Sequence, residues 1–444
     1  MKFQILFSAF LLAAIFSCKT TNSTKAISKD EVIVKQEEIM AKNPIIENEF
    51  SPGPTDDQKL RYKADSLAHA NIITDGHVDL PYRLKIKNFQ LTKEYLGIPI
   101  ETDAGDFDYI RAKQGGLDAP FMSIYIPAAN QQTKGASKAL ADSLITMIEG
   151  IATAHPDKFG IAYGPKEAAK LIDEGKIALP MGMENGAGIE DNLANVTHFK
   201  KRGISYITLT HSKDNLICDS SYDTTGTYGG LSEYGKLVVE EMNRVGIMVD
   251  ISHVSDNTFY DVMELTDVPV IASHSSARKY VPGFERNMDD EMIRRLGENN
   301  GVIMINFGST FIDGEIADLR NEQRDKIMEM LEEKGLKFGD DGANKVIEDY
   351  QENNPSFYAD VEKVADHIDL VVELAGIDHV GFGSDYDGVG DSLPTGLKDV
   401  SAYPNLIYVL LKRGYSDEDI AKICYKNLWR VWTEVERVAA SASH

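Results

Sequence analysis

The sequence has little of three features that would have suggested other classes of protein. Only three of its 444 residues are Cys, at positions 18, 218 and 424, too few for a disulfide framework or a structural zinc cluster. The 46 basic residues are outnumbered by 70 acidic ones, and the resulting net charge of -24 would repel nucleic-acid phosphates, which excludes nucleic acid as a partner. The N-terminal apolar run from Phe3 to Phe16 covers 14 residues, too few to span a bilayer comfortably. What remains, 43% hydrophobic and 26% charged residues, is typical of a soluble globular enzyme.

The N-terminus has the pattern of an export signal. One basic residue, Lys2, precedes the apolar run, and the run ends in Ile15-Phe16-Ser17-Cys18, which resembles the bacterial lipoprotein box. This pattern predicts a lipoprotein signal peptide over residues 1–18, with lipidation of Cys18 anchoring the protein to a membrane of the bacterial cell envelope as a periplasmic or outer-membrane lipoprotein. A signal peptide that contains a Cys by chance is the alternative. The polar stretch 19–58 is predicted to be a flexible tether.

The pattern after residue 58 predicts one catalytic domain over residues 59–444. Short apolar runs alternate there with longer helical patterns, as in βαβ units of a parallel sheet. The eight candidate strands are Ile72–Asp75, Ala119–Ile126, Ile177–Met183, Tyr206–Thr210, Ile247–Ile251, Val268–Ala272, Val302–Asn306 and Val380–Gly383. Eight strand–helix repeats predict a TIM-like (β/α)8 barrel, with a highly charged helical insertion near 314–354.

Seven side chains that bind metals or transfer protons fall at the ends of six predicted strands. They are His77 and Asp79 after the first strand, Glu184 at the third, His211 at the fourth, His253 at the fifth, His274 at the sixth and Asp385 at the eighth. Each alone has an ordinary interpretation as a turn or packing residue. In a barrel, however, the strand ends meet at one face, where active sites form. Together the seven therefore predict a metal site.

The number of predicted ligands exceeds what one zinc ion uses, since zinc usually takes four. The set suits two ions with a carboxylate between them. We expect one ion to be bound by His77 and Asp79, the other by His253 and His274, and Glu184 to bridge both. A hydroxide shared by the two ions would then be the nucleophile, because bound metal lowers the pKa of water.

Cleavage of an amide also requires a proton on the leaving nitrogen. Asp385 is the candidate for this transfer, because its carboxylate could take a proton from the attacking water and pass it on. His211 is the candidate hydrogen-bond donor to the oxyanion. The rival assignment makes both residues ordinary metal ligands.

At these motifs the sequence resembles the membrane (renal) dipeptidase family, a zinc-dependent branch of the metal-dependent hydrolase superfamily of barrels. The resemblance runs from about residue 71 to residue 435. It is carried by Asp75-Gly-His-Val-Asp-Leu-Pro81, Met183-Glu-Asn-Gly186, Leu209-Thr-His-Ser-Lys-Asp-Asn215, Ser252-His-Val-Ser255, Ser273-His-Ser-Ser276, Arg286-Asn287 and Gly383-Ser-Asp-Tyr-Asp-Gly388. The ordered set is specific, although each fragment alone is not.

The resemblance implies a metallopeptidase that cleaves dipeptides with two zinc ions, which form a binuclear site held by the ligands assigned above. It also implies that His211 contacts the substrate, that Asp385 transfers protons, and that Arg286 binds the free carboxylate of the substrate, for which a guanidinium is well shaped. Relatives are often homodimers. The sequence departs from the family at Val78, where relatives often carry a polar residue, and at Phe311, near a position where some relatives have Tyr.

Two other functions stay open at this stage. The same scaffold supports metal-dependent amidohydrolases and lactonases that act on other small substrates, because a fold does not fix function. The chain could also be a non-catalytic lipoprotein that binds envelope components. The complete set of predicted ligands favours the dipeptidase.

Overall fold

The computed structural model describes residues 55–340 and 342–442, and its centre is a closed barrel. The strands are β1 Ile73–Val78, β2 Leu117–Tyr125, β3 Phe159–Ile161, β4 Ile177–Leu179, β5 Met181–Glu184, β6 Ile204–Thr208, β7 Met248–Asp250, β8 Ile271–Ser275, β9 Val302–Ile305 and β10 Val380–Phe382. Eight of them form the barrel in the order β1-β10-β9-β8-β7-β6-β5-β2, with every neighbouring pair parallel. The predicted (β/α)8 barrel is confirmed.

The barrel strands are buried on both faces, which explains their nearly continuous apolar sequences. All residues of β6 and β9, for example, are buried. Side chains fill the barrel on one face of each strand, and the surrounding helices cover the other face. Apolar runs in the sequence were therefore enough to predict these strands. The strand ends in the structure differ from the predicted ends by a few residues in most cases.

The third predicted strand, 177–183, is two strands in the structure. Residues 177–179, which form β4, pair with β3 in a separate two-stranded sheet, and residues 181–184, which form β5, pair with β2 and β6 inside the barrel. The break falls at Pro180, which has no N–H to donate to a strand neighbour. Its carbonyl still accepts from the Met122 amide at 2.8 Å. The break moves β5 into the barrel wall and brings Glu184 to the end of that strand.

Sixteen α-helices cover the barrel in the part of the chain that the structure describes. They are α1 Asp56–Ala70, α2 Leu80–Ile86, α3 Tyr109–Gly115, α4 Ala136–Ala154, α5 Pro165–Asp173, α6 Ala194–Lys201, α7 Glu233–Val245, α8 Asp256–Leu265, α9 Asp290–Glu298, α10 Ser309–Ile312, α11 Gly314–Glu333, α12 Ala343–Gln351, α13 Val361–Leu374, α14 Tyr403–Lys412, α15 Asp417–Ala421 and α16 Asn427–Ala442. Across residues 55–340 and 342–442, none is both long and apolar enough to cross a membrane.

The predicted helical insertion near 314–354 is α11 and α12. The two helices pack on each other through a small apolar cluster that includes Ile327, Leu331, Ala343 and Val346. This cluster is separate from the main core, so the insertion lies beside the barrel and does not contribute to its interior.

The first helix includes residues 56–58, which the sequence analysis assigned to the end of the tether. The helix begins with a capping box, in which the Thr55 side chain accepts from the Gln58 amide and the Gln58 side chain accepts from the Thr55 amide. It packs against α14, where the Arg61 guanidinium lies 3.9 Å from the centre of the Tyr408 ring. The signal peptide, the lipidation of Cys18 and most of the tether lie outside the described residues and stay predictions.

Large aromatic side chains close the amino-terminal end of the barrel. The Phe121 ring lies 5.1 Å from the Trp432 ring of α16 and 5.5 Å from the Tyr206 ring, and all three are fully buried. Tyr206 fits because its neighbour Gly182 has no side chain: a Cβ there would meet the Tyr206 ring at 1.9 Å. Side chains therefore fill the amino-terminal end of the barrel, and the predicted site residues lie at the carboxyl end.

His367 of α13 connects two loops at this carboxyl end and makes stability depend on pH. Its Nδ1 accepts from the Ala277 amide at 2.9 Å and its Nε2 bonds the Ile312 carbonyl at 3.0 Å. A second ring proton would face the Ala277 N–H, and burial lowers the pKa of His367 from 6.5 to about 4. Since the unfolded chain binds this proton first, the stabilisation is complete above pH 6.5 and is lost as the pH falls toward 4.

We predict that His367→Gln is less stable than the wild type at pH 7 and that the difference shrinks by about 3 kcal/mol as the pH falls to 4. Urea unfolding of both proteins after treatment with a chelator measures this, because metal release then contributes nothing to the pH dependence. A difference in unfolding free energy that stays constant between pH 7 and pH 4 would contradict the assignment.

Candidate metal centre

The structure brings all seven predicted side chains together at the carboxyl end of the barrel. His77 and His274 lie within the last residues of β1 and β8, Glu184 is the last residue of β5, and the other four follow their strands directly or in short loops. Ligand atoms within 4.8 Å of one another form three overlapping groups, which are His77 with Glu184 and His274, Glu184 with His211 and His253, and His77 with Asp79 and Asp385. Six of the seven are buried and His211 is partly exposed.

Glu184 occupies the middle of the cluster, and its two oxygens face different partners. Oε1 lies 3.0 Å from His253 Nε2, 3.3 Å from His274 Nε2 and 3.5 Å from His211 Nε2. Oε2 lies 3.5 Å from His77 Nε2 and accepts a bond from the Ser123 hydroxyl at 3.4 Å. A carboxylate arranged in this way is suited to lie between two cations.

On the side of Glu184 that Oε2 faces, His77 Nε2 lies 3.3 Å from Asp79 Oδ2. Asp79 stands at the N-cap position of α2, a place that Asp often fills to bond the first helical amides. Its carboxylate makes no such bond within the described ranges and is turned toward His77. Among the residues that the structure describes, His77 Nε2 and Asp79 Oδ1 are buried without a hydrogen-bond partner, which is costly unless a metal ion supplies the missing interaction.

Tyr206 sets the proton position on His77. The Tyr206 hydroxyl donates to the Gly76 carbonyl at 2.9 Å and lies 2.9 Å from His77 Nδ1. Because its one proton is used on the carbonyl, the hydroxyl accepts from Nδ1–H, which leaves Nε2, on the side of Asp79 and Glu184, as the nitrogen that a metal ion would bind. Metal-binding histidines commonly have such a partner behind the ring.

A second relay does the same for His274. Ser273 Oγ donates to Asp250 Oδ2 at 2.6 Å and lies 2.8 Å from His274 Nδ1, so it accepts from Nδ1–H and leaves Nε2 unprotonated. Asp250 is fully buried and also accepts from the Thr208 hydroxyl at 2.5 Å. None of Tyr206, Asp250 and Ser273 was predicted from the sequence to support the metal site.

Backbone strain accompanies the position of His253. This residue has a φ of 69°, which is uncommon for a residue with a side chain. Its carbonyl accepts from both the amide and the hydroxyl of Ser221, at 2.9 and 3.1 Å. His253 Nε2 and His274 Nε2 are only 2.9 Å apart, beside Glu184 Oε1. Two imidazole nitrogens this close to one carboxylate oxygen suit a shared cation.

The electrostatics of the cluster favour a cation in its centre. Burial lowers the pKa of His253 and His274 well below the usual range, with Arg286 adding to both shifts, so these rings are neutral. Burial opposes ionisation of Glu184, but His77, His211 and the hydrogen bonds of the other two histidines hold its pKa well below the usual value. The neutral imidazoles of His253 and His274 beside an ionised carboxylate suit a metal site. Burial opposes the charged form of His77, but Tyr206, Asp79 and Glu184 raise the pKa of that ring well above its usual range, so a bound metal ion would displace a proton there.

Asp385 is held beside the cluster by a residue that the sequence analysis missed. Asn306 follows β9, is fully buried, and donates from Nδ2 to Asp385 Oδ2 at 2.8 Å. Burial raises the pKa of Asp385 to about 7; His77 opposes this shift, whereas Asp79 and Glu184 add to it. The position of Asn306 at the end of the seventh barrel strand was the available signal.

Arg286 is buried next to the site. Its hydrogen bonds go to uncharged groups and do not neutralise its charge. Nη1 donates to the Ser275 hydroxyl at 2.7 Å and Nη2 to the His274 carbonyl at 2.6 Å, both uncharged acceptors. Nε is buried and has no partner in the described part of the chain. Because a buried guanidinium normally pairs with an anion, Arg286 is suited to bind an anionic ligand.

A (β/α)8 barrel with histidines and carboxylates clustered at the carboxyl ends of its strands defines a metal-dependent hydrolase. The family model described as membrane dipeptidase (peptidase family M19) matches residues 61–444. The chain therefore belongs to the membrane dipeptidase family and is a metallopeptidase. The predicted resemblance and enzyme class are confirmed.

Individual relatives agree with this assignment. The chain is 32% identical over 411 residues to the protein named dipeptidase tcpJ of Claviceps purpurea, covering 91% of this chain and 85% of that protein. It also resembles the crystal structure of the probable dipeptidase PvdM from Pseudomonas aeruginosa, with a TM-score of 0.72, 26% identity, and 86% and 99% of the two chains covered. A Rhodobacter sphaeroides metallopeptidase bound to a phosphinate mimic of L-Ala-D-Ala shares the fold at 22% identity and a TM-score of 0.66, over 82% and 99% of the chains.

Proposed function

We propose that this protein hydrolyses the peptide bond of dipeptides with two zinc ions bound around Glu184. The observation that carries the proposal is the arrangement of that carboxylate, with Oε2 toward His77 and Oε1 toward His253 and His274. One ion would be held by His77, Asp79 and Glu184, and the other by Glu184, His253 and His274. Bound zinc would supply an activated water and polarise the scissile carbonyl.

Three residues around the ions would transfer protons, stabilise the oxyanion and bind the substrate carboxylate. Asp385 would take the proton of the attacking water and deliver it to the leaving nitrogen, because its carboxyl group lies beside the cluster and is held there by Asn306. His211 would donate to the oxyanion, since burial lowers its pKa and a neutral ring keeps one N–H to donate. Arg286 would bind the carboxylate of the substrate through Nε and its remaining N–H groups.

These roles would place the scissile bond next to the C-terminal residue of the substrate, as in a dipeptide. The distance between a carboxylate held by Arg286 and a carbonyl held beside Glu184 is fixed by the protein. Only a peptide whose scissile bond is next to its C-terminal residue satisfies both contacts. A longer peptide cut at the same bond would need room for further residues on its amino side.

The proposal is tested by incubating the purified full-length protein with L,L and L,D dipeptides and with matching tripeptides. We expect cleavage of dipeptides only, loss of activity after chelation, and recovery when about two equivalents of zinc are added back. If another divalent ion restores activity and zinc does not, that ion replaces zinc in the proposal, because imidazole and carboxylate ligands suit several ions.

The panel also separates the alternatives. Bound metal with no cleavage of any peptide would overturn the dipeptidase proposal and favour an amidohydrolase or lactonase acting on another small substrate. Protein that is purified without metal and does not bind added zinc would favour a non-catalytic binding role.

A further inference from the structure

Three partly exposed aromatic side chains lie in a row of ring contacts that begins beside Arg286. These are Tyr222, Phe284 and Phe311, which we call the aromatic wall. Tyr222 is 41% exposed, and Phe284 and Phe311 are partly exposed. The Tyr222 and Phe284 rings are 6.0 Å apart, and the Phe284 and Phe311 rings are 5.6 Å apart. Since exposed apolar surface is unfavourable, such a group is typical of a binding site.

The aromatic wall extends from the buried cation to the metal centre. At one end, the Phe311 ring lies 5.6 Å from the Arg286 guanidinium carbon. At the other end, the Tyr222 ring lies 6.0 Å from the His253 ring. A small ligand that contacted both Arg286 and the metal-site histidines would therefore lie against the wall.

Hydrogen bonds to the main chain hold the wall in position. Asn287 donates from its side chain to the Phe311 carbonyl at 2.7 Å and from its backbone amide to the Phe284 carbonyl at 3.0 Å. The adjacent Ser221 bonds the His253 carbonyl and so fixes the loop that carries Tyr222. Because two members of the wall are joined through the residue next to Arg286, the wall and the anion site are positioned together.

We infer that the aromatic wall binds the side chain of the C-terminal residue of the substrate and selects dipeptides that end in a large apolar or aromatic residue. The inference rests on the proposed function, because it uses the carboxylate held by Arg286. That carboxylate and the side chain branch from the same carbon atom, so a carboxylate at Arg286 brings the side chain within reach of Phe311 and Phe284. Apolar burial and ring–ring contact would then favour substrates with a larger side chain.

The first test compares kcat/KM for Gly-Phe, Gly-Leu, Gly-Lys and Gly-Ala in the wild type and in Phe284→Ala. We expect the wild type to prefer Gly-Phe over Gly-Ala by about 10- to 100-fold, and the variant to lose most of this ratio. Phe284→Leu should restore part of it. Tyr163→Ala is the control, since Tyr163 is 45% exposed and lies near Gly203 at the other end of the barrel; it should keep the wild-type ratio.

A second measurement separates this inference from the proposed function. Binding of Gly-Phe and Gly-Ala to chelator-treated protein, measured by calorimetry, reports on the wall without turnover, and the same preference is expected there. Preferential binding of Gly-Phe with no cleavage would support the wall and overturn the dipeptidase proposal. Cleavage without a preference, a ratio unchanged in Phe284→Ala, or a preference for Gly-Lys would overturn the wall.

Discussion

Glu184→Gln should lower kcat/KM for dipeptides at least about a thousandfold and reduce the bound metal from two ions per chain to one or none. Substituting a residue behind a metal ligand typically costs 10- to 100-fold in affinity or activity, and Glu184 is expected to contact both ions directly. Glutamine keeps the size of the side chain but has no charge and only one oxygen. It therefore cannot bind one ion on the side of His77 and a second ion on the side of His253 and His274.

Two measurements check this expectation: the kinetics of dipeptide cleavage, and the metal content of the protein after gel filtration, determined by mass spectrometry. Glu190→Gln is a matched control, because Glu190 follows the same strand and is only partly buried; it should retain two ions and wild-type activity. Two tightly bound ions in Glu184→Gln would contradict a bridging role, even if activity were lost.

The metal centre could be predicted from the sequence because barrel topology converts positions along the chain into neighbours in space. Residues at the ends of β1, β5 and β8 are far apart in sequence, yet parallel strands of one barrel all end at the same face. Small errors in strand ends do not alter this result. His274, for instance, is brought into the site although β8 begins three residues later than predicted.

The supporting residues could not be predicted, because their roles depend on which side chains meet inside the barrel. Tyr206 is a buried aromatic in an apolar strand, and nothing in that pattern distinguishes a packing ring from one whose hydroxyl bonds His77. The same holds for Asp250 and Ser273, whose relay to His274 needs two neighbouring strands in register. Their chemistry is decided by contacts between strands.

The start of α1, which was predicted to be part of the tether, differs from the prediction for another reason. Its sequence is polar and only Ala64 and Ala68 are buried, so it lacks the apolar stripe that marks an amphipathic helix. It is held by its capping box and by contacts with α14, including the Tyr408 ring beside Arg61. Helices that depend on tertiary contacts are hard to separate from a polar linker.

Asp385→Asn should reduce kcat about 100- to 10,000-fold, the range typical of losing a general acid–base group, while both metal ions stay bound. Asparagine has nearly the same shape, and its side-chain oxygen can still accept the hydrogen bond from Asn306 Nδ2. The position of the side chain is therefore kept, and only its charge and its ability to carry a proton are removed. KM should change little, because Arg286 still binds the substrate carboxylate.

This result would separate the two roles that remain open for Asp385. If it is a metal ligand, the variant should lose metal; if it transfers protons, the variant should keep two ions and lose turnover. Asp378→Asn is a suitable control, since Asp378 precedes the same strand at the opposite end of the barrel and pairs with Lys422 at the surface. Wild-type kcat in Asp385→Asn would assign the proton transfer to another group, and His211, the partly exposed histidine next to Glu184, would be the first residue to test.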